Sequence, residues 1–238
     1  MAGRRTIRGS GRGDSLGGRA GRIFLFLFLL LVGLPAGLLL IFRFLPIPGT
    51  PQMLFSLIAG EGAHYAWRET INPALARSVI GSEDQNFCFH SGFDWGEIDK
   101  ALTAHDRGGR LRGASTISQQ TARTLFLGYR GGWLRKGFET YLTVLVEALW
   151  PKKRILQAYL NLVDWGHGNF GAEAASRAYF HTRAAGLTRL QAARLAAILP
   201  DPGKWNAADP GPYVAERSRF LIGQAAMVAR DGLDVCIK

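Results

Sequence analysis

The feature of this sequence that most constrains its fold is an uncharged run of twenty residues near the N-terminus, 23–42. At about 1.5 Å of rise per residue, a helix of this length spans about 30 Å, the thickness of the hydrocarbon core of a bilayer. Gly33, Pro35 and Gly37 interrupt the run, but membrane helices tolerate such residues better than soluble helices do. We therefore predict a transmembrane helix over residues 23–45. A cleaved signal peptide is the alternative, although its apolar core usually covers only about 7–15 residues.

The charges that flank this run predict how the chain is oriented. The leader, residues 1–22, contains six arginines and one aspartate and carries a net charge of +5. Because positive flanks stay in the cytoplasm, the N-terminus is expected there and the remainder of the chain outside. The chain after the leader carries +6 of the total net charge of +11. Since an exported domain meets little nucleic acid, this charge favours anionic lipid head groups or a phosphate-bearing substrate as partners.

Beyond the membrane run, the sequence pattern is helical, with no convincing strand alternation, and the fold class is predicted to be mainly α. Residues 46–69 are predicted to form a membrane-proximal linker and residues 70–238 one folded domain. The apolar stretch 53–58 suits either the core or the membrane interface. Helices are predicted at 73–80, 95–104, 115 or 116 to 127, 134–150, from 151 onward, 171–179, 188–199 and 213–230. In the helix 134–150, a buried stripe is expected at positions 138, 142, 145 and 149.

The two cysteines, Cys88 and Cys236, could pair in an oxidising compartment. They are 148 positions apart and one lies among clustered carboxylates, so free or buried thiols are expected instead. The five histidines have no metal-ligand spacing.

A cluster of acidic and aromatic residues occupies positions 83–94, Glu-Asp-x-x-Phe-x-x-His-x-Gly-x-Asp. Alone, such a cluster is typical of a helix that ends in two carboxylates beside a buried phenylalanine. The neighbouring aromatic rings also favour partial desolvation of Glu83, which raises a carboxyl pKa toward the range of a general base.

Two further polar segments follow the acidic cluster. Residues 113–120, Gly-Ala-Ser-Thr-Ile-Ser-Gln-Gln, place hydroxyls and amides at a predicted helix N-terminus, where phosphate or sugar oxygens can bind. Residues 135–139, Arg-Lys-Gly-Phe-Glu, either form a surface i,i+4 ion pair or hold a diphosphate with two cations. The basic run 152–154 is expected to be a solvated helix start near the membrane.

Together these segments resemble the peptidoglycan glycosyltransferases of family 51, and the resemblance covers about residues 70–200. Five motifs occur in the order of that family, at 83–94, 113–120, 135–139, 154–161 (Arg-Ile-Leu-x-x-Tyr-Leu-Asn) and in the Gly-rich stretch 166–180. The chain is most similar to the monofunctional members, because neither Ser-x-x-Lys nor Lys-Thr-Gly, signatures of a transpeptidase domain, occurs.

The resemblance implies a lysozyme-like helical fold with a small membrane-contacting jaw. It implies polymerisation of lipid II into β-1,4-linked glycan strands with release of undecaprenyl diphosphate, for cell-wall biogenesis. The implied partners are lipid II, the growing strand, membrane lipids and cell-wall synthesis or division proteins, with no nucleic acid. The chain would cross the bacterial inner (plasma) membrane once, with its catalytic domain in the periplasm.

The resemblance also implies roles for individual residues. Glu83 would be the general base that deprotonates the acceptor 4-hydroxyl, and Glu139 would orient the donor site. Arg123, Arg135 and Lys136 would neutralise the leaving diphosphate. The other implied substrate-binding residues are Asp84, His90, Ser115, Thr116, Gln119 and Gln120. A divalent cation (Mg²⁺ or Mn²⁺) can assist at the diphosphate, but no residues with metal-ligand spacing supply a site for it.

Some positions depart from the family pattern, and two other functions stay open. Arg123 and Thr124 stand where relatives commonly have Lys-Asn, and Gly131-Gly132 fall where they often have arginine, so the diphosphate contacts are less defined than the two glutamates. A glycan-cleaving enzyme is the first alternative function, because lysozyme-like folds serve both reactions. A catalytically idle membrane scaffold is the second. The anchor and the cations favour synthesis.

Overall fold

The computed structural model describes residues 16–108, 115–128 and 131–238, and the chain divides after Leu38 into two compact units. Helix α1, Leu16–Phe28, is followed by a π-helical turn, Leu29–Gly33, and by helix α2, Leu34–Phe42. The helical segment Arg19–Phe42 has a mean hydropathy of 2.8 over its most apolar window, and almost none of that window is buried. By length and composition it is able to cross a membrane, in agreement with the sequence prediction.

In the described part of the second unit, from Leu39 onward, the regular elements are helices and two strands of two residues each, so the mainly α prediction is confirmed. Strands β1, His64–Tyr65, and β2, Asn169–Phe170, pair in parallel, a feature too short for the sequence pattern to reveal. The helices after α2 are α3, Pro51–Ile58; α4, Pro73–Glu83; α5, Trp95–Asp106; α6, Ile117–Phe126; α7, Trp133–Leu149; α8, Lys152–Leu162; α9, Gly171–Phe180; α10, Arg189–Ile198; and α11, Pro212–Arg230.

Capping residues explain where three of the predicted helices start. Asn72 accepts hydrogen bonds from the backbone N–H groups of Ala74 and Leu75, and Pro73 is the first residue of α4. Thr116 and Thr188 form capping boxes at α6 and α10 with the glutamines three residues later. Helix α4 continues to Glu83, three residues beyond the predicted end, so that Glu83 forms its last turn.

Two groups of packed helices contribute to one hydrophobic core. Helix α4 packs against α10 and α11, and α6 packs against α7 and α8. The buried face of α7 contains Glu139, Leu142, Thr143 and Val146, whereas Phe138 is 47% exposed. The predicted stripe was therefore wrong at position 138, because the observed stripe is displaced by one residue, and this displacement places Glu139 in the interior.

Residues 53–58 were predicted to lie either in the core or at the membrane interface, and helix α3 has one face that suits each. Met53 and Ser56 are buried in the unit, whereas Leu54, Phe55, Leu57 and Ile58 are at least half exposed. One face of this short helix therefore belongs to the core, and the other leaves a group of large apolar side chains open to solvent.

The prediction for the basic run 152–154 was wrong for Arg154, which is 7% exposed. Its guanidinium donates to the carbonyl oxygens of Phe42 and Leu45, where α2 ends, and to Oε1 of Gln157. The last carbonyls of a helix have no intrahelical donors, and Arg154 supplies them. Lys153 is exposed, as predicted.

The prediction of free thiols was also wrong, because Cys88 and Cys236 form a disulfide with a Cα–Cα distance of 5.4 Å. Distance along the sequence was misleading here. Helix α11 packs against α4, and the turn Val235–Ile237 that follows α11 returns to the segment just after α4. The disulfide therefore links the last turn of the chain to the acidic cluster.

Candidate active site

Glu83 is presented by the end of α4 and is only partly exposed. Its Oε2 accepts a hydrogen bond of 3.0 Å from Nε2 of Gln120 on α6. Burial raises the pKa of the Glu83 carboxyl above its ordinary value, although the hydrogen bond from Gln120 and the positive charge of Arg217 act in the opposite direction. The raised pKa makes the Glu83 carboxylate a stronger base than an exposed glutamate.

Gln120 is oriented from both ends of its amide. Its Nε2 donates to Glu83, and its Oε1 accepts a hydrogen bond of 3.1 Å from the hydroxyl of Tyr159 on α8. Nε2 also lies 3.5 Å from the backbone oxygen of Ser115. Tyr159 is 1% exposed, so this hydroxyl reaches the site from the interior.

Glu139 is fully buried and is neutralised by two cations on its own helix. Its Oε2 accepts from Arg135 at 2.7 Å, and its Oε1 accepts from Lys136 at 2.5 Å. The Arg135 and Lys136 side chains are 20% and 40% exposed. This is not the surface ion pair that the sequence left open. One buried carboxylate fixes two cations that remain partly accessible, and the three charges sum to +1.

A continuous series of polar contacts joins the two glutamates. Lys136 Nζ, which binds Glu139, also donates to Ser115 Oγ at 3.2 Å. The backbone oxygen of Ser115 lies near Gln120, and Gln120 binds Glu83. The structure therefore brings Glu83, Ser115, Gln120, Lys136 and Glu139 into one site.

Asp84 and His90 lie next to Glu83 but are buried and bind each other. The imidazole Nε2 of His90 lies 2.9 Å from Asp84 Oδ1, and its Nδ1 accepts from the backbone N–H of Gly92. Asp84 Oδ2 accepts from the N–H of Ile117, where a carboxylate is stabilised by the N-terminus of α6. These contacts position the loop of the acidic cluster, and a role of either residue in substrate binding stays a prediction.

Thr116 and Gln119 are also largely committed to the fold. The Thr116 hydroxyl donates to the carbonyl oxygen of Gly92 and caps α6, and Gln119 completes the capping box. Arg123 lies on the same helix one turn after Gln119 and is half-buried. Gly113 and Ala114, which begin the second motif, lie outside the described residues.

The structure places further polar residues beside the site that the sequence reasoning did not assign. Ser118 donates to Oε1 of Glu147, and Lys152 donates to the same oxygen at 2.6 Å. The Lys152 ammonium also lies 4.6 Å from the centre of the Phe87 ring. Lys152 was expected to be solvated, and it is instead half-buried. Spacing alone could not predict this cluster, because its members come from the acidic cluster and three helices.

The donor set of the site does not form a metal cage. Among residues 16–108, 115–128 and 131–238, no group of three or more His, Cys, Asp or Glu side chains could hold a metal ion. Both oxygens of Glu139 bind cations, and both oxygens of Asp84 are engaged by His90 and Ile117. A divalent cation at the substrate diphosphate stays a prediction from the sequence.

Comparison with known proteins gives a consistent result. The model of the Transglycosylase family matches residues 54–226, more than two thirds of the chain. A biosynthetic peptidoglycan transglycosylase of Caulobacter vibrioides is 46% identical over 217 residues, which cover 90% of this chain and 95% of the relative. Proteins of the same name from Rhodospirillum centenum and Pseudomonas aeruginosa are 46% and 45% identical, over 89% and 82% of this chain and 91% and 87% of the relatives.

Proposed function

The chain belongs to the transglycosylase family and is a peptidoglycan glycosyltransferase with a helical, lysozyme-like fold; from this premise we propose that it polymerises lipid II into β-1,4-linked glycan strands and releases undecaprenyl diphosphate. The observation that carries the proposal is that one site contains two carboxylates in different environments. Burial raises the pKa of Glu83, whereas Glu139 forms ion pairs with Arg135 and Lys136.

In the proposed reaction, Glu83 acts on the acceptor sugar. Its carboxylate takes the proton of the acceptor 4-hydroxyl while that oxygen forms a bond to C1 of the donor. The bond between C1 and the diphosphate oxygen breaks, and the configuration at C1 inverts. Because burial raises the pKa of Glu83, the carboxylate is a stronger base than an exposed glutamate.

The leaving diphosphate is assigned to the cations around Glu139. Arg135 and Lys136 are held in place by the buried carboxylate, and their side chains remain partly exposed. Such a preorganised positive charge stabilises the negative charge that develops as the C1–O bond breaks. Arg123 supports the same role from α6, with the planar group of arginine in place of the lysine that relatives commonly have.

The protein is proposed to cross the bacterial inner membrane once, with its N-terminus in the cytoplasm and the catalytic unit in the periplasm. The arginines of the leader support this orientation. The Cys88–Cys236 disulfide supports it independently, because disulfides persist in oxidising compartments. The exposed apolar side chains of α3 and those of Trp133 and Leu134 on α7 suit contact with membrane lipids. Lipid II, the growing strand and proteins of cell-wall synthesis or division are the proposed partners.

The test is polymerisation of lipid II by the purified full-length protein in detergent, with glycan length read by gel electrophoresis. Wild type is expected to produce long strands, and Glu83→Gln is expected to lose roughly 10²–10⁴-fold in rate, the usual contribution of a general base. Glu216→Gln removes an exposed carboxylate from α11 and serves as the matched control, with activity unchanged.

Two results would contradict the proposal. A protein that only shortens preformed strands would be a glycan-cleaving enzyme. Normal polymerisation by Glu83→Gln, in a sample with unchanged circular dichroism, would remove the assignment of Glu83 as the base.

A further inference from the structure

We propose that Tyr159 is a positioning residue for the transfer reaction, which holds the amide of Gln120 so that its N–H faces the catalytic carboxylate of Glu83. This inference rests on the proposed function, since it takes Glu83 as the general base. Tyr159 acts through Gln120, whose amide connects the Tyr159 hydroxyl to the Glu83 carboxylate.

The two hydrogen bonds of the Gln120 amide determine which of its ends faces Glu83 and which faces Tyr159. An ionised carboxylate only accepts hydrogen bonds, so the side of Gln120 that faces Glu83 must carry the NH₂ group. The amide oxygen then faces Tyr159, whose hydroxyl donates to it at 3.1 Å. Because Tyr159 is 1% exposed, loss of its hydroxyl would remove a partner from the amide oxygen in a largely water-excluded place. The orientation of the amide would no longer be fixed from the protein interior.

The position of Tyr159 in the fold explains how a core residue reaches the site. It lies on α8, which packs against α6, and Gln120 is in the first turn of α6. The hydroxyl therefore crosses the interface between these two helices. Tyr159 belongs to the segment Arg-Ile-Leu-x-x-Tyr-Leu-Asn, whose aromatic residue otherwise has no role in the proposed mechanism.

The chemical consequence concerns the protonation of Glu83. The Gln120 hydrogen bond favours the ionised form and lowers the pKa of Glu83, against the larger effect of burial. Two charged groups also act on this carboxyl: Arg217 on α11 lowers its pKa, and Asp84 raises it. If the amide is no longer held, the pKa of Glu83 rises further. A general base works only when ionised, so activity would then be lost at a higher pH than in wild type.

The experiment is the pH profile of kcat/KM for lipid II polymerisation by full-length Tyr159→Phe. We expect the acidic limb to move up by about half to one pH unit, which corresponds to about 3- to 10-fold lower activity on the acid side and convergence with wild type at alkaline pH. A purely structural role would instead lower the activity by the same factor at every pH, and that result would overturn the proposal.

Tyr179→Phe is the matched control, because it also removes a buried hydroxyl, one that donates to the carbonyl oxygen of Trp165 at 2.8 Å. Its acidic limb is expected to stay in place. Gln120→Met removes the amide directly and should move the limb at least as far as Tyr159→Phe. In the double variant, Tyr159→Phe should add nothing to Gln120→Met, because the two changes act through one contact.

Gln120→Met keeps the proposal falsifiable if Tyr159→Phe does not fold. A wild-type acidic limb in Gln120→Met would overturn the role of Tyr159, and so would an additive shift in the double variant. The outcomes also separate this proposal from the function itself. If Glu83→Gln is inactive while Tyr159→Phe has the wild-type profile, only the role of Tyr159 falls. If Glu83→Gln polymerises normally, both fall.

Discussion

At Gly166 the neighbouring backbone occupies the space that a side chain would need. The residue has a φ of +88°, and a Cβ atom there would lie 2.0 Å from the carbonyl oxygen of Pro202. The positive φ would strain the backbone of any larger residue. A side chain would also overlap the carbonyl oxygen of Pro202, which as a backbone atom cannot rotate away. Gly166 thus holds the loop before β2 against the segment after α10.

Gly166→Ala is therefore expected to reduce the free energy of unfolding by about 3 kcal/mol or more, the combined cost of left-handed strain and a backbone shift. Gly223→Ala is the control, because Gly223 is exposed on α11 and a Cβ atom there would contact nothing within 4 Å. It should stabilise the helix by up to about 1 kcal/mol. Thermal unfolding in detergent measures both, and equal midpoints for the two variants would contradict this account.

The residues of the site differ in how far the sequence could predict them. Glu83 and Glu139 were predicted from their motifs, and the predicted desolvation of Glu83 agrees with the burial that raises its pKa. The burial of Glu139 was not foreseen. The predicted buried stripe of α7 contained position 138, and a shift of the stripe by one residue turns an exposed ion pair at position 139 into a buried one. The contact of Tyr159 with Gln120 depends on how α6 and α8 cross, which periodicity within either helix does not contain.

At the scale of elements, boundaries were predictable where a cap marked them and less so elsewhere. Asn72, Thr116 and Thr188 each start a helix through their own side chain, so the local sequence is sufficient. The end of α4 was predicted at residue 80, but the helix continues through Gly81, which packs against Gln224 of α11. Strands β1 and β2 and the disulfide join distant segments and depend on the tertiary fold.

The disulfide ties the loop after α4 to the last turn of the chain, and its reduction is expected to destabilise the catalytic unit. It closes a loop with a sequence separation of 148, for which chain-entropy arguments give about 2–5 kcal/mol. The melting temperature of wild type should fall when a reductant is added. The Cys88→Ser/Cys236→Ser variant should melt at the lower temperature with or without reductant. The disulfide would be contradicted if the reductant did not change the melting temperature of wild type and if two free thiols were titrated in the protein without reductant.

At the scale of the whole molecule, the charge asymmetry around the membrane segment should determine on which side of the membrane the catalytic unit lies. The leader carries +5 immediately before an uncharged run, and cationic flanks resist translocation. A C-terminal alkaline phosphatase fusion, which requires an oxidising compartment, is expected to be active, and the corresponding cytoplasmic fluorescent reporter should be dark. Replacement of the six leader arginines by glutamine should divide the population between the two orientations, whereas replacement by lysine should leave the wild-type result.

The disulfide provides a second readout of the same orientation that does not depend on a reporter. Cys88 and Cys236 are expected to be oxidised in cells when the unit is exported, and to become partly reduced in the glutamine variant in proportion to its cytoplasmic fraction. Trapping of free thiols with a maleimide reagent in intact and lysed cells measures this fraction. If the wild-type cysteines were reduced and the cytoplasmic reporter were fluorescent, the proposed orientation would be wrong. If the glutamine and lysine variants behaved alike, orientation would not depend on the leader charge.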